Sequence, residues 1–207
     1  MSANPIVMVV DDDAGVRNAM RTLLKSVGIQ STLYPSAQEF LGTYQAAQPG
    51  CLVLDIRMPG MSGLELQQEL NLRGAVIPVI FMSGHGDIPM AVEAMQHGAF
   101  DFLQKPFRDQ DLLDRIQRAI AKDAELRKSL GENTRIKSHL ESLTPREREV
   151  IDLMTQGKQN KAIAQVLDVS PRTVEIHRAR VMEKMGAHSI AELVRMMLDL
   201  KQPAAGR

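Results

Sequence analysis

The sequence predicts an α/β domain, a five-stranded doubly wound parallel sheet, followed by an all-α domain of four short helices. Three observations predict it. Short apolar runs without polar alternation punctuate the chain up to Lys105, and several are followed by apolar residues at helical spacing. From Thr144 onward the strand pattern stops, and residues that start and end helices follow one another closely. Charge divides along the same line. The 207 residues carry 25 Lys and Arg against 25 Asp and Glu. Residues 1–124 nevertheless hold 10 basic and 14 acidic side chains, a balance of −4, and residues 125–207 hold 15 and 11, a balance of +4.

The strands are read at Ile6–Val10, Ser31–Tyr34 (the weakest), Cys51–Leu54, Val79–Met82 and Phe100–Leu103. Helical spacing follows in Val16, Met20, Leu23, Leu24 and Val27, then in Leu64, Leu66 and Leu70, then in Ala91, Val92 and Met95. Gly28, Gly74 and Gly98 stand where a helix needs a left-handed residue to end on. Strands buried on both faces and separated by helices imply a parallel sheet, and in such a sheet chemistry belongs at the carboxyl ends of the strands.

Those ends carry Asp11-Asp12-Asp13, Asp55, Ser83 and Lys105-Pro106. Clustered carboxylates repel unless a cation sits among them, and hard oxygen donors on a compact site suit Mg²⁺. Asp11–Asp13 taken alone also reads as the cap of the following helix, but a cap does not explain why Asp55, Ser83 and Lys105 share the same edge. A carboxylate oxygen fixed beside the metal can attack a phosphoryl group. Lys105 would then pair with the phosphoryl as a point charge and Ser83 would supply a hydrogen bond, while Gly84 leaves room for a bulky donor. A cis peptide at Lys105-Pro106 is expected to turn the lysine back toward Asp55.

A helix is expected from Asp109 to roughly Ser129, with 124–140 as a helical linker. Leu112, Ile116, Ala119, Leu126, Leu130 and Leu140 make a seam, but Asp123, Asn133 and Lys137 interrupt it, and Gly131 weakens it. A weak self-association seam and a solvated, partly frayed segment both remain open, and the interruptions favour the second. Beyond it, Thr144-Pro145-Arg146-Glu147 is a cap, a first-turn proline and a third-position glutamate. The helix that follows stops near Gly157. Next come Asn160–Leu167, a turn at Asp168-Val169-Ser170, Pro171–Met185 ended by Gly186, and Ile190–Leu200. Two helices joined by so short a turn form a helix-turn-helix, here about 159–178.

Phasing at about 100° per residue sends Val174, Val181 and Met185 to the core. It leaves Arg172, Ile176, Ala179 and Glu183 opposite, with Glu175 and Arg180 on the shoulders and Thr173, His177 and Lys184 further round. Exposed Ile176 and Ala179 among basic residues suit a helix in the major groove of double-stranded DNA, where apolar groups meet thymine methyls and Glu accepts from cytosine. The candidate contacts are Lys161, Arg172, Thr173, Glu175, Ile176, His177, Ala179, Arg180 and Lys184.

Composition narrows the field. Hydrophobic residues make up 44% of the chain, enough for packed cores, and aromatic residues only 3% with no Trp, so base-stacking surfaces are not expected to dominate. Cys51 stands alone, excludes an internal disulfide, and reads as a small buried hydrophobe. No apolar run reaches 18 residues and Met1–Asn4 opens no leader pattern, so a soluble cytoplasmic protein with no membrane partner is expected.

The runs VVDDD, LVLDIRMPGMSGLEL, IFMSGHGD and DFLQKPF resemble the receiver domain of two-component response regulators, and SGHGDIPMAVEAM resembles its FixJ branch. The resemblance covers 5–122 and implies a flavodoxin-like receiver over 1–123. It makes Asp55 the phosphoacceptor of a sensor histidine kinase. Asp12, Asp55 and the Arg57 carbonyl would hold Mg²⁺, Asp11 acting through water, with Ser83 and Phe102 as switch residues and Lys105 as the family lysine. LTPREREVIDLMTQGKQNKAIAQVLDVSPRTVEIHRARVMEKM resembles the LuxR-type DNA-binding domain, which implies such a domain over 141–207. Together the halves resemble a FixJ/NarL-type response regulator. It would act as a transcription factor controlled by phosphorylation, not as a turnover enzyme. Phosphorylation is expected to give a homodimer through the face made by Ile88–His97, the strand ending at Leu103 and Asp109–Ala121. RNA polymerase is a further candidate partner. A second reading makes the chain act on a protein partner, its basic domain serving dimerisation or RNA contact.

Overall fold

The computed structural model describes residues 4–84 and 88–201. The elements run β1 (Ile6–Val10), α1 (Ala14–Ser26), β2 (Ser31–Tyr34), α2 (Ala37–Thr43), β3 (Gly50–Asp55), α3 (Gly63–Leu72), β4 (Val79–Ser83), α4 (Ile88–Gln96), β5 (Asp101–Gln104) and α5 (Asp109–Glu141). They continue as α6 (Pro145–Thr155), α7 (Asn160–Leu167), α8 (Pro171–Met185) and α9 (Ile190–Lys201). The described residues divide into two compact units, the first ending at Arg127 and the second beginning at Lys128.

In the first unit all neighbouring strands are parallel, in the order β2-β1-β3-β4-β5. Alternate strand residues leave on opposite faces, so each strand feeds two cores. Met8, Val10, Leu52, Leu54 and Phe81 meet Phe40, Leu66, Leu70 and Ala94 on one side. Val7, Val9, Cys51, Val53, Ile80 and Met82 meet Met20, Leu24, Leu112 and Ile116 on the other. That double burial is why the strands read as unbroken apolar runs. Gly28, Gly74 and Gly98 take the left-handed conformation expected of them. Strand order reverses between β1 and β3, so a crevice opens at their carboxyl ends.

Three expectations are corrected and one helix is added. On α4, Val92 and Met95 are 51% and 47% exposed, and Ala94 faces the core instead. The helix α2, held by Ser36 as cap and by Ala37 and Phe40 inside, carried too short an apolar pattern to be specified from sequence. The linker is not frayed: α5 is one helix of 33 residues that passes through Gly131. Asp123, taken as an interruption of its seam, is 1% exposed and accepts the Gly50 N–H at 2.9 Å.

In the second unit, Ile136, Leu143, Val150, Met154, Ile163, Val174, Val181, Met185 and Leu193 form one core. Thr144 and Glu147 form the expected capping box, Asp168 takes a left-handed conformation at φ 50°, and Ser170 caps α8. Arg146 donates to the Leu167 carbonyl, which ties the start of α6 to the end of α7. No described helix is long and apolar enough to cross a membrane.

Candidate functional site

At the carboxyl edge of the sheet, β1, β3 and the segment after β5 deliver three charged side chains to one point. The Lys105 ammonium lies 2.6 Å from Asp55 Oδ1 and 3.0 Å from Asp11 Oδ2. The Lys105-Pro106 peptide is cis, as expected. Asp11 is 1% exposed and Asp55 9%. Burial pushes the Asp11 carboxyl above its ordinary value, against the opposing pull of Lys105. Burial pulls the Lys105 ammonium down, but hydrogen bonds to Asp55 and Asp11 outweigh it and leave its pKa raised.

The three aspartates after β1 divide their tasks. Asp13 caps α1 by accepting from the Gly15 and Val16 N–H groups, so the capping alternative holds for that residue. Asp11 turns inward and accepts the Asp13 N–H at 2.9 Å, and its own carbonyl accepts from Arg17 at 2.7 Å. Asp12 is left exposed beside the crevice. Asp55 Oδ2 accepts the Arg57 N–H at 2.8 Å, which fixes the carboxylate at the strand end.

Ser83 ends β4, is 2% exposed, and donates to the Gly84 carbonyl at 3.0 Å. A side chain at Gly84 would meet nothing within 4 Å among the described residues, so the approach is open there. Phe102 is half-buried against the core face that also holds Leu54 and Phe81. His85–Asp87, part of the SGHGD run, lie outside the described residues. The donors fit a hard cation. A buried carboxylate with a raised pKa faces a second across the crevice, and an opposite charge there relieves both. Among the described residues no three acidic, histidine or cysteine side chains close on a metal by themselves. Mg²⁺ characteristically uses one or two carboxylates and retains waters.

On α8, Val174, Val181 and Met185 are fully buried, as phased. Arg172, Glu175, Ile176, Ala179 and Arg180 are exposed, and Arg172 pairs with Glu175 at 3.1 Å. Thr173 bonds the Ser170 cap through its hydroxyl and its N–H. Two candidate contacts are turned inward. The His177 Nδ1 is buried and has no partner among the described residues. Lys184 is 2.6 Å from Glu147 Oε2 and 3.2 Å from the Ser142 carbonyl. Beside α8, Lys158, Lys161 and Arg178 line one cleft with Asn160. Lys158 and Arg178 were missed in the sequence, because only the fold brings the turn before α7 against the middle of α8.

A flavodoxin-like sheet with a lysine bridging two carboxylates, in a chain that also holds a helix-turn-helix unit, defines a two-component response regulator with a DNA-binding output domain. The receiver-domain family of response regulators matches residues 7–117, and the luxR family of bacterial regulatory proteins matches 141–197. The transcriptional regulatory protein FixJ of Azorhizobium caulinodans is 47% identical over 192 residues, covering 93% of this chain and 91% of that one. The response regulator protein TodT of Pseudomonas putida is 42% identical over 196 residues, covering 95% and 86%. The solved structure of the response regulator StyR is 44% identical with a TM-score of 0.84, covering 95% of this chain and 99% of that one. Full-length FixJ from B. japonicum is 42% identical with a TM-score of 0.58, covering 95% and 97%. The chain belongs to the response-regulator family and is a transcriptional regulator of the FixJ type.

Proposed function

We propose that Asp55 is the phosphoacceptor of a partner histidine kinase and that its phosphorylation controls DNA binding by the second unit. The observation that carries this reading is the Lys105 ammonium held between Asp55 Oδ1 and the buried Asp11 carboxylate. An Asp55 oxygen attacks the phosphorus of a phosphohistidine, a new O–P bond forms, and the P–N bond breaks, its electrons leaving with the imidazole. Asp12, Asp55 and the Arg57 carbonyl, with Asp11 through water, would hold Mg²⁺, which neutralises charge on the transferring oxygens. Lys105 then follows the phosphoryl oxygens, Ser83 donates to one of them, and Phe102 fills the space the hydroxyl leaves. The chain promotes its own phosphorylation and turns over no other substrate.

The division we propose is a receiver over 1–123, a helical linker over 124–140 and a DNA-binding domain over 141–207. Arg172, Glu175, Ile176 and Ala179 face the major groove, while Lys161, Arg180, Lys158 and Arg178 neutralise phosphates. Thr173, His177 and Lys184 support the helix rather than read bases. Phosphorylation pairs two chains through α4, β5 and α5, where Val92 and Met95 are exposed, and the DNA-bound pair is the form that meets RNA polymerase. Asp55→Asn, incubated with labelled acetyl phosphate and Mg²⁺, is expected to take up no label. Stoichiometric incorporation by that variant would overturn the assignment.

A further inference from the structure

The strand that ends in Asp55 is tied at its other end to the helix that leaves the receiver. Every residue of β3 is buried. At its start the Gly50 N–H donates to Asp123 Oδ2 at 2.9 Å, and Asp123 is 1% exposed on α5. Arg127, one turn further along α5, grips both oxygens of the same carboxylate with its Nε at 2.8 and 2.9 Å. The remaining nitrogens of its guanidinium donate to the Ala46 carbonyl at 2.8 Å and the Gln48 carbonyl at 2.7 Å, in the loop that enters β3. Gly50 takes a φ of 147°, and a side chain there would lie 1.8 Å from the Ile6 carbonyl oxygen, so the backbone approach at this point admits no other residue.

The position is informative. The first compact unit ends at Arg127, and α5 runs on to Glu141. The cluster therefore lies on the last helical turn before the boundary. Up to Ala119, α5 docks through buried apolar side chains, whose attraction is non-directional. At Asp123 and Arg127 it docks through directional, charge-assisted hydrogen bonds with one geometry. Polar contacts of this kind have two discrete arrangements, made and broken.

We propose that Asp123 and Arg127 couple the phosphoacceptor strand to the start of the segment 128–141, so that a change at Asp55 is transmitted along β3 to the linker half of α5. The proposal rests on Asp55 being the phosphoacceptor. Coupling of this kind is reciprocal, so whatever holds the linker half also biases the receiver through the same bonds.

The test is hydrogen–deuterium exchange of the full chain, with and without beryllofluoride and Mg²⁺, in wild type, Arg127→Gln and Arg127→Lys. Arg127 is partly exposed, and besides the Asp123 carboxylate its acceptors are the loop carbonyls of Ala46 and Gln48, which water can reach once it is gone. The response of residues 88–105 to beryllofluoride serves as the check that the receiver is folded and its site works. In wild type both 88–105 and 124–136 are expected to respond. In Arg127→Gln the response of 88–105 is expected to persist while that of 124–136 falls by about fivefold or more, the low end of coupling between sites. Arg127→Lys keeps the charge without the fork and is expected to fall between the two. An undiminished response at 124–136 in Arg127→Gln would overturn the coupling and leave the phosphoacceptor standing. So would a wild-type linker that stays silent while 88–105 responds. No response at 88–105 in wild type would remove the phosphoacceptor reading itself, and the coupling with it.

Discussion

Glu147 is 2% exposed, yet it accepts the Lys184 ammonium at 2.6 Å and the Thr144 N–H at 2.9 Å. The Lys184 hydrogen bond, followed by that from Thr144, holds its carboxyl far below the usual range, at about 2. An acid with a folded pKa below its unfolded one stabilises the fold fully above the unfolded value, about 4.3 for Glu. That stability is lost as pH falls toward about 2. Thermal unfolding of wild type and Glu147→Gln should therefore show a gap that is constant above pH 5 and closes between about pH 4 and 2. The same pair separates two roles for basic side chains on α8, those of Lys184 and Arg180, that sequence phasing could not. Lys184→Met should destabilise the second unit by about 1.5–3 kcal/mol, the scale of a charged hydrogen bond, and leave the salt dependence of duplex binding unchanged. Arg180→Met should do the reverse, reducing the slope of log affinity against log salt by about one while barely changing stability. Equal slopes for Arg180→Met and wild type would remove Arg180 from the phosphate contacts.

At the scale of elements, α5 marks where the sequence is legible and where it is not. Leu112, Ile116 and Ala119 recur at steps of four and three, and the core face follows from that spacing alone. Asp123 falls in the same register, but a carboxylate carries no sign of whether water or a distant N–H satisfies it. Its partner Gly50 is 73 residues away. Lys158 and Arg178 were hidden for the same reason, whereas Asp11, Asp55, Ser83 and Lys105 were legible because each ends a strand and parallel strands bring their ends together. Ala94 lost to Val92 and Met95 because hydrophobicity was read as burial, and a helix with apolar residues on both sides does not say which faces the sheet. Gly131 supplies the prediction at this scale. It sits inside α5, and a side chain there would meet nothing within 4 Å. Gly131→Ala should stabilise the transition of the second unit by about 0.5–1 kcal/mol in chemical denaturation. A neutral or destabilising effect would mean that the helix is interrupted at this residue in solution.

Charge and valency decide how the whole molecule switches. Residues 125–207 carry a balance of only +4, and the acidic residues 1–124 cancel it to zero over the chain. Non-specific affinity for DNA follows the number of phosphates neutralised, so one copy of this domain holds duplex weakly at physiological salt. Two copies on adjacent half-sites bind as one, the second contact becoming intramolecular with a gain of about 10²–10⁴ in affinity. On the proposed function, a phosphoryl group on Asp55 adds no contact to DNA, and the route we propose is a change in how readily two chains meet. The surface available for that is α4, β5 and α5 of the receiver, where Val92 and Met95 stand half-exposed on α4, the helix that follows Ser83 in the chain. Sedimentation of the full chain should show a monomer without beryllofluoride and a dimer with beryllofluoride and Mg²⁺. Val92→Lys should keep the monomer in both conditions, since it places a charge in the closing face without touching the core. It should also lower the affinity for a duplex selected by the activated wild type by about 10²-fold or more, the lower bound of the valency gain. A chain whose sedimentation is the same in both conditions would show that phosphorylation acts within one molecule, and the switch would then have to be sought in the receiver's hold on α5.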